Sequence, residues 1–160
     1  MIKINIYCVG SLKENYLKEA SDEYLKRLSR YAKVTIIEVN EAKITSFDND
    51  SLIQKTLDEE GNSLLNHIKS NDYLILIDLH GKEYTSDELA RSFDNLISKG
   101  TSSFALVIGG TLGLSDELRK RAKAKVCLSK MTFPHQLTRI ILLEQLYRIF
   151  KINNHESYHH

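Results

Sequence analysis

Five consecutive apolar residues, Phe104 to Ile108, end at two adjacent glycines, Gly109 and Gly110. An uninterrupted apolar run of this length is typical of a strand buried on both faces of a parallel sheet. Ser115, followed by two acidic residues, has the character of a helix N-cap. The pattern predicts a strand, a glycine loop and a helix. The glycines either let a ligand lie against bare backbone or simply make a tight turn.

A second loop follows the short apolar run Val126 to Leu128, which predicts the end of another strand. Pro134, the only proline, suits the first turn of a helix that we expect to reach Ile152, with Thr132 as its cap. Both loops therefore follow strands and precede helices. This is where an open α/β sheet binds its ligands, beyond the carboxyl ends of the strands.

The rest of the chain alternates in the same way, and this order predicts an α/β fold with a mainly parallel sheet and helices on both faces. We expect one domain, residues 1–160, because no second domain or repeat is visible. The local predictions are strands at Ile2–Cys8, Val34–Val39 and Tyr73–Leu79, a polar loop at Glu41–Ser51, a turn at His80–Lys82 and a capping box at Thr85–Glu88.

Composition restricts the class of protein. Hydrophobic residues make up 42% and charged residues 27%, as in an ordinary globular domain. There is no apolar run of membrane-spanning length and no signal peptide, so we expect a cytoplasmic protein without a membrane partner. Cys8 and Cys127 fall in predicted strands and are interpreted as buried apolar residues, not as metal ligands. No cluster of metal ligands is present, and we expect no metal.

Charge is unevenly distributed although the net charge is only +1. Residues 38–60 contain seven acidic and two basic residues, whereas residues 119–151 contain nine basic and one acidic. The basic stretch includes the second loop and begins shortly after the first, so a phosphate-rich partner is expected at this end of the molecule. For the cluster from Arg119 to Lys125, a solvated helix face is the alternative.

The motifs IGG-x-x-G-L, LSKMTFPHQLTR, LLEQLYRIFKI and the terminal SYHH resemble the RlmH (YbeA) family of SPOUT-class methyltransferases. The resemblance extends over essentially the whole chain. It implies a SPOUT-type fold with a C-terminal trefoil knot, which sequence physics alone would not suggest. It also implies S-adenosylmethionine as cofactor, a homodimer, and methylation of N3 of a pseudouridine in 23S ribosomal RNA within the ribosome.

The same resemblance assigns site residues. The backbone-lined cofactor site would comprise Ile77, Gly109, Leu128, Ser129, Lys130, Met131, Thr132 and Phe133. The catalytic candidates are His135, Arg139, Tyr158 and His159. The other histidines, His67, His80, His155 and His160, are interpreted as surface or turn residues.

Each catalytic candidate also has a structural interpretation. His135, in the first turn of a helix where a neutral imidazole is favoured, either accepts a proton from the substrate or bonds a nearby carbonyl. Arg139, one turn later on the same face, either holds a phosphate or base oxygen or forms an ion pair. Tyr158 and His159 either fold over a pocket or belong to a frayed terminus.

The final helix carries apolar residues around most of its circumference, including Leu143 and Leu146. A helix packed only on its own sheet shows one apolar stripe, so we expect a second subunit to cover the other face. The alternative to an enzyme is a non-catalytic nucleotide- or RNA-binding α/β module, which the glycine loop and the basic stretch alone would equally allow.

Overall fold

The computed structural model describes residues 1–42 and 49–159. Within them, a five-stranded parallel sheet has the strand order β2-β1-β4-β3-β5. The elements in chain order are β1 (Ile2–Val9), α1 (Asn15–Leu28), β2 (Ala32–Val39), α2 (Asp50–Leu65), β3 (Tyr73–Glu83), α3 (Ser86–Ser98), β4 (Ser103–Ile108), α4 (Asp116–Arg121), β5 (Ala124–Cys127) and α5 (His135–Asn153). The predicted α/β class is confirmed. Residues 43–48 of the predicted polar loop lie outside the described residues.

Helices cover both faces of the sheet, as predicted. The face that packs on α1, α3 and α5 contributes Ile4, Ile6, Phe104 and Leu106 to one core. The alternate residues of the same strands, such as Tyr7 and Val107, form a second core with α2 and α4. β4 is buried along nearly all its length because both of its faces are covered. Cys8 and Cys127 are free and buried, as expected.

Short sequence patterns predicted the N-termini of α3 and α4 correctly. Thr85 caps α3 through the backbone N–H of Glu88, and the Glu88 side chain accepts from the Thr85 N–H, which confirms the capping box. Ser115 caps α4 as predicted. Thr132 is not the cap of α5, because the N-cap position is occupied by Pro134 and no side chain caps this helix end.

The predicted turn at His80–Lys82 is wrong, because β3 continues through it to Glu83. Val126 of β5 is opposite both Ile77 and Lys82, so the four residues between these two form a bulge in β3. A glycine is needed at position 81, since a Cβ there would lie 2.7 Å from the backbone carbon of Lys125. Asp78, Leu79 and His80 of this bulge line a cavity at the carboxyl end of the sheet.

Candidate functional site

A cavity of about 400 Å³ opens at the carboxyl ends of β3, β4 and β5. Its walls are the two loops singled out from the sequence, the bulge of β3 and the first turn of α5. Seven of the eight residues predicted to hold a cofactor line this cavity: Ile77, Gly109, Leu128, Ser129, Met131, Thr132 and Phe133. Lys130 does not line it; its side chain is 83% exposed and lies 3.6 Å from a carboxylate oxygen of Glu83.

The first loop closes on itself. The backbone N–H of Gly113 donates to the carbonyl of Gly110 at 3.0 Å, and Gly113 has a φ of +94°. A Cβ on Gly109 would lie 2.4 Å from the Gly113 carbonyl oxygen. Glycine at 109 is therefore required by the loop's own closure. At this position the tight-turn alternative explains the glycine. A Cβ on Gly113 would meet no atom within 4 Å, and this glycine lines the cavity.

Glu41 contacts this loop from outside the cavity, and Glu60 binds the backbone next to Glu41. The Thr111 hydroxyl donates to Glu41 at 3.0 Å, and the Ala42 N–H donates to Oε2 of Glu60 at 3.1 Å. Glu60 is buried, and its Oε1 has no hydrogen-bond partner among the described residues. Burial raises the pKa of the Glu60 carboxyl; Glu41 raises it further, while the Ala42 N–H acts in the opposite direction.

The second loop is held by its own side chains. The Ser129 hydroxyl accepts from the Met131 N–H at 3.0 Å, and the Cys127 thiol donates to the Ser129 carbonyl at 3.1 Å. Five residues of this loop line the cavity: Leu128, Ser129, Met131, Thr132 and Phe133. Met131 is 75% exposed at the rim. Bare backbone donors and acceptors beside apolar side chains suit a ligand with a flat ring and hydroxyl groups.

Besides Thr138 of α5, four residues of the cavity wall were not assigned to the site from the sequence. Asp78, Leu79 and His80 reach the cavity from the β3 bulge, and Arg119 reaches it from α4. His80 had been interpreted as a surface or turn residue. Asp78 is only 5% exposed and accepts a hydrogen bond from Nη1 of Arg119. The bulge that brings Asp78, Leu79 and His80 to the cavity depends on pairing between β3 and β5, which no local sequence signal reveals.

His135 and Arg139 share one face of α5 but have different surroundings. His135 lines the cavity, as does Thr138. Arg139 is 3% exposed; it lies 2.7 Å from a carboxylate oxygen of Glu38 and donates to the carbonyl of Gly10 at 3.3 Å. The ion pair left open in the sequence interpretation is therefore present. Arg139 anchors the start of α5 on the ends of β1 and β2.

The C-terminal tail packs on its own chain, away from the cavity wall. The Tyr158 hydroxyl donates to Glu144 at 3.2 Å, and its ring lies edge-on to Tyr147. Burial, with Glu144 nearby, raises the pKa of Tyr158 to about 12, so the phenol stays protonated at neutral pH and can donate a hydrogen bond. Nε2 of His159 lies 3.3 Å from Asp87, and its Nδ1 is 3.1 Å from Arg148. His160 lies outside the described residues.

The basic cluster is not one uniform surface. Arg119 faces the cavity, and Arg121 donates to the carbonyl of Lys69 at 2.6 Å. The exposed cations of this region are Lys120, Lys123, Lys125 and Lys130. Arg119 therefore differs from its neighbours in the basic cluster, because it lines the cavity.

In the described parts of the chain, no helix is long and apolar enough to cross a membrane. The same residues contain no group of three metal-ligating side chains.

The chain matches the family model described as predicted SPOUT methyltransferase over residues 2–159. The chain therefore belongs to the SPOUT methyltransferase family. Two relatives bear the name Ribosomal RNA large subunit methyltransferase H. One, from Clostridium novyi (strain NT), is 54% identical over 160 residues; the other, from Clostridium botulinum (strain Eklund 17B / Type B), is 51% identical over 160 residues. Each alignment covers 99% of both proteins.

The fold is also similar to the solved structure of a probable methylase family protein from Haemophilus influenzae Rd KW20. The TM-score is 0.50 at 11% identity, with 98% of this chain and 70% of that one covered. At this identity the likeness concerns the fold alone.

Proposed function

We propose that this SPOUT methyltransferase uses S-adenosylmethionine to methylate N3 of a pseudouridine in 23S ribosomal RNA, on assembled ribosomes. The observation that carries the proposal is the cavity, because β3 and the two loops meet there and supply seven of the eight expected cofactor residues. The relatives named as large-subunit methyltransferases, about half identical over the full length, support ribosomal RNA as the substrate.

The residues present fit the cofactor. A volume of about 400 Å³ lies in the range of small-molecule pockets. Ile77, Leu128 and Phe133 offer apolar contacts for an adenine ring, and the backbone of both loops offers partners for ribose hydroxyls. When bound, S-adenosylmethionine supplies a methyl group on a sulfonium centre. The chain therefore needs no nucleophile of its own, and its task is to hold the reactants in line and exclude water.

Removing the proton from the target nitrogen is the remaining task. His135 lines the cavity at the start of α5, and a neutral imidazole there is suited to accept this proton. Arg139 serves this role indirectly, since its contacts with Glu38 and Gly10 fix the helix that carries His135. Its direct contact with RNA would require that ion pair to open. The exposed lysines on α4 and β5 are the proposed contacts for RNA phosphates.

The proposal includes a homodimer in which the Tyr158–His159 tail of one subunit completes the site of the other. Its support is the family resemblance. Within one chain the tail contacts α3 and α5 and does not line the cavity. A tail that reached a neighbouring subunit's cavity would bring a phenol, as donor, and an imidazole to the RNA side of that site.

A labelling assay tests the proposal. Ribosomes from a strain lacking this protein are incubated with the purified protein and S-adenosylmethionine labelled in its methyl group. We expect label in 23S RNA, and after digestion to nucleosides we expect it in a pseudouridine methylated at N3. A non-catalytic binding module would bind the ribosomes and transfer no label. Label in another nucleoside would contradict the proposed target while leaving methyl transfer intact.

A further inference from the structure

One ion pair, formed by Asp78 and Arg119, lies in the wall of the cavity. Among the described residues that line it, Asp78 and Arg119 are the only ones with a carboxylate, ammonium or guanidinium group. The Asp78 side chain is 4% exposed and the Arg119 side chain 30% exposed. The carboxylate is therefore buried in the cavity wall, whereas the arginine side chain is partly exposed.

Asp78 is fixed from two sides. Its Oδ1 accepts from the backbone N–H of His80 at 3.0 Å, within the β3 bulge, and its Oδ2 accepts from Nη1 of Arg119. Arg119 is also held at its backbone, because its N–H donates to the Ser115 carbonyl at 3.1 Å in the first turn of α4. The guanidinium is thus positioned from both ends before any ligand arrives.

Most of the donors on this guanidinium are free. A guanidinium carries five N–H donors, and in the described residues only Nη1 of Arg119 has a protein acceptor. A pre-positioned guanidinium with free donors is suited to a planar anionic group, especially a carboxylate, which it can bind through two parallel hydrogen bonds. Within a cavity of this size, such a group needs a charged partner to offset the loss of water.

We propose that Arg119, held by Asp78, binds the carboxylate of the methionine moiety of S-adenosylmethionine. The inference rests on the proposed cofactor, whose only anionic group is that carboxylate. Asp78 acts as a positioning residue that fixes the guanidinium and balances its charge in the free protein. The same guanidinium chemistry would also suit an RNA phosphate, so the test is made without RNA in its main arm.

The main arm measures dissociation constants by calorimetry on the full chain. The ligands are S-adenosylmethionine, its decarboxylated analogue and 5′-methylthioadenosine, which lacks the amino-acid part altogether. We expect the wild-type protein to prefer S-adenosylmethionine over the decarboxylated analogue by roughly 10- to 100-fold, the range for a charge-assisted hydrogen bond. In Arg119→Gln we expect this preference to fall to about twofold or less, with unchanged affinity for 5′-methylthioadenosine.

Two further variants control for the change in net charge and for a failure to fold. Lys99→Gln makes the same change in net charge at an exposed residue after α3 and should keep the wild-type preference. If Arg119→Gln fails to fold because Asp78 is left buried and unpaired, the double variant Asp78→Asn/Arg119→Gln removes both charges and should show the same loss of preference.

Equal wild-type affinity for S-adenosylmethionine and its decarboxylated analogue would overturn the inference. So would a preference that survives in Arg119→Gln or in the double variant. If Arg119→Gln instead weakens only ribosome binding, its partner is a phosphate and the carboxylate assignment is wrong. If the wild-type protein prefers S-adenosylmethionine over its decarboxylated analogue but transfers no methyl group to ribosomes, the proposed function is wrong and the carboxylate assignment stands. If it methylates ribosomes but binds the two ligands equally, the carboxylate assignment is wrong and the proposed function stands.

Discussion

Nη1 of Arg139 lies 2.7 Å from Oε2 of Glu38, on an arginine that is 3% exposed. The same guanidinium donates to the carbonyl of Gly10. These contacts join the start of α5 to the carboxyl ends of two neighbouring strands. His135 and Thr138 lie in the same part of α5 and line the cavity, so the anchor determines where they stand.

Removing the Glu38 carboxylate should destabilise the protein. Glu38→Ala leaves the buried Arg139 without its carboxylate, and we expect a loss of about 1–3 kcal/mol in the free energy of unfolding. The estimate is below that for a fully buried pair because the Glu38 side chain is 42% exposed. Urea unfolding followed by circular dichroism measures it.

The matched control is Glu23→Ala on α1. The Glu23 side chain is 50% exposed, and its partner Arg27 lies 3.7 Å away. An exposed pair of this kind contributes less than about 1 kcal/mol. Equal unfolding midpoints for Glu38→Ala and Glu23→Ala would show that the Arg139 anchor contributes no more than a surface pair.

Gly113 and Gly100 form a second matched pair. Both have positive φ, +94° and +104°, and at both a Cβ would meet no atom within 4 Å. An alanine at either position should cost about 1–2 kcal/mol in stability, because L side chains disfavour this conformation. Only Gly113 lines the cavity. We therefore expect Gly113→Ala to weaken binding of S-adenosylmethionine about tenfold, as a methyl group intruding into a fitted site would, whereas Gly100→Ala leaves it unchanged.

Calorimetric titration of the two alanine variants at a temperature where both are folded separates stability from binding. If Gly100→Ala weakens binding as much as Gly113→Ala, the effect comes from general loosening of the fold. The placement of the first loop against the ligand would then be wrong.

Structural features that depend on residues close in sequence could be predicted, whereas features that depend on strand pairing could not. The apolar run of β4 and the capping box of α3 are local, and both were predicted. His80–Lys82 has the composition of a turn, yet pairing with β5 keeps it in β3. Asp78 and Arg119 are 41 positions apart and meet only because β3 and β5 are neighbours.

The second apolar face of α5 was assigned to another subunit, but α1 and α3 cover much of it and Leu143 is fully buried within the chain.

The buried Glu60 should make stability depend on pH. Burial raises the pKa of this carboxyl in the folded protein, so the folded state binds the proton more tightly than the unfolded state. The resulting stabilisation is complete below the unfolded pKa of about 4.3 and is lost as pH rises through the raised folded pKa. Glu60→Gln removes this component. Its melting temperature relative to wild type should therefore increase as pH rises and then level off.

Glu59→Gln is the control for this measurement, since Glu59 is the adjacent residue on α2 and is exposed. Its difference from wild type should stay nearly constant over the same pH range. Thermal unfolding of the three proteins across that range provides the comparison. Parallel curves for Glu60→Gln and wild type would mean that the buried carboxyl has no raised pKa.

The last prediction concerns the proposed homodimer and the choice of residues that test it. Leu143 and Leu146 are unsuitable, because both lie in the core and a charge there would unfold the chain. Tyr16, 68% exposed near the start of α1, and Leu137, 39% exposed in the first turn of α5, are accessible. The Lys13 N–H donates to Gln136 at 3.1 Å, so these two helix starts are neighbours.

Light scattering at micromolar concentration should give about twice the chain mass of 18.4 kDa. Tyr16→Glu and Leu137→Glu should lower this value towards one chain mass, because a carboxylate in an apolar contact is costly to desolvate. Ser51→Glu adds the same charge on α2, across the sheet from α1 and α5, and should leave the mass unchanged. A wild-type protein that scatters as a single chain while methylating ribosomes would contradict both the homodimer and the proposed role of the Tyr158–His159 tail in a second subunit's site.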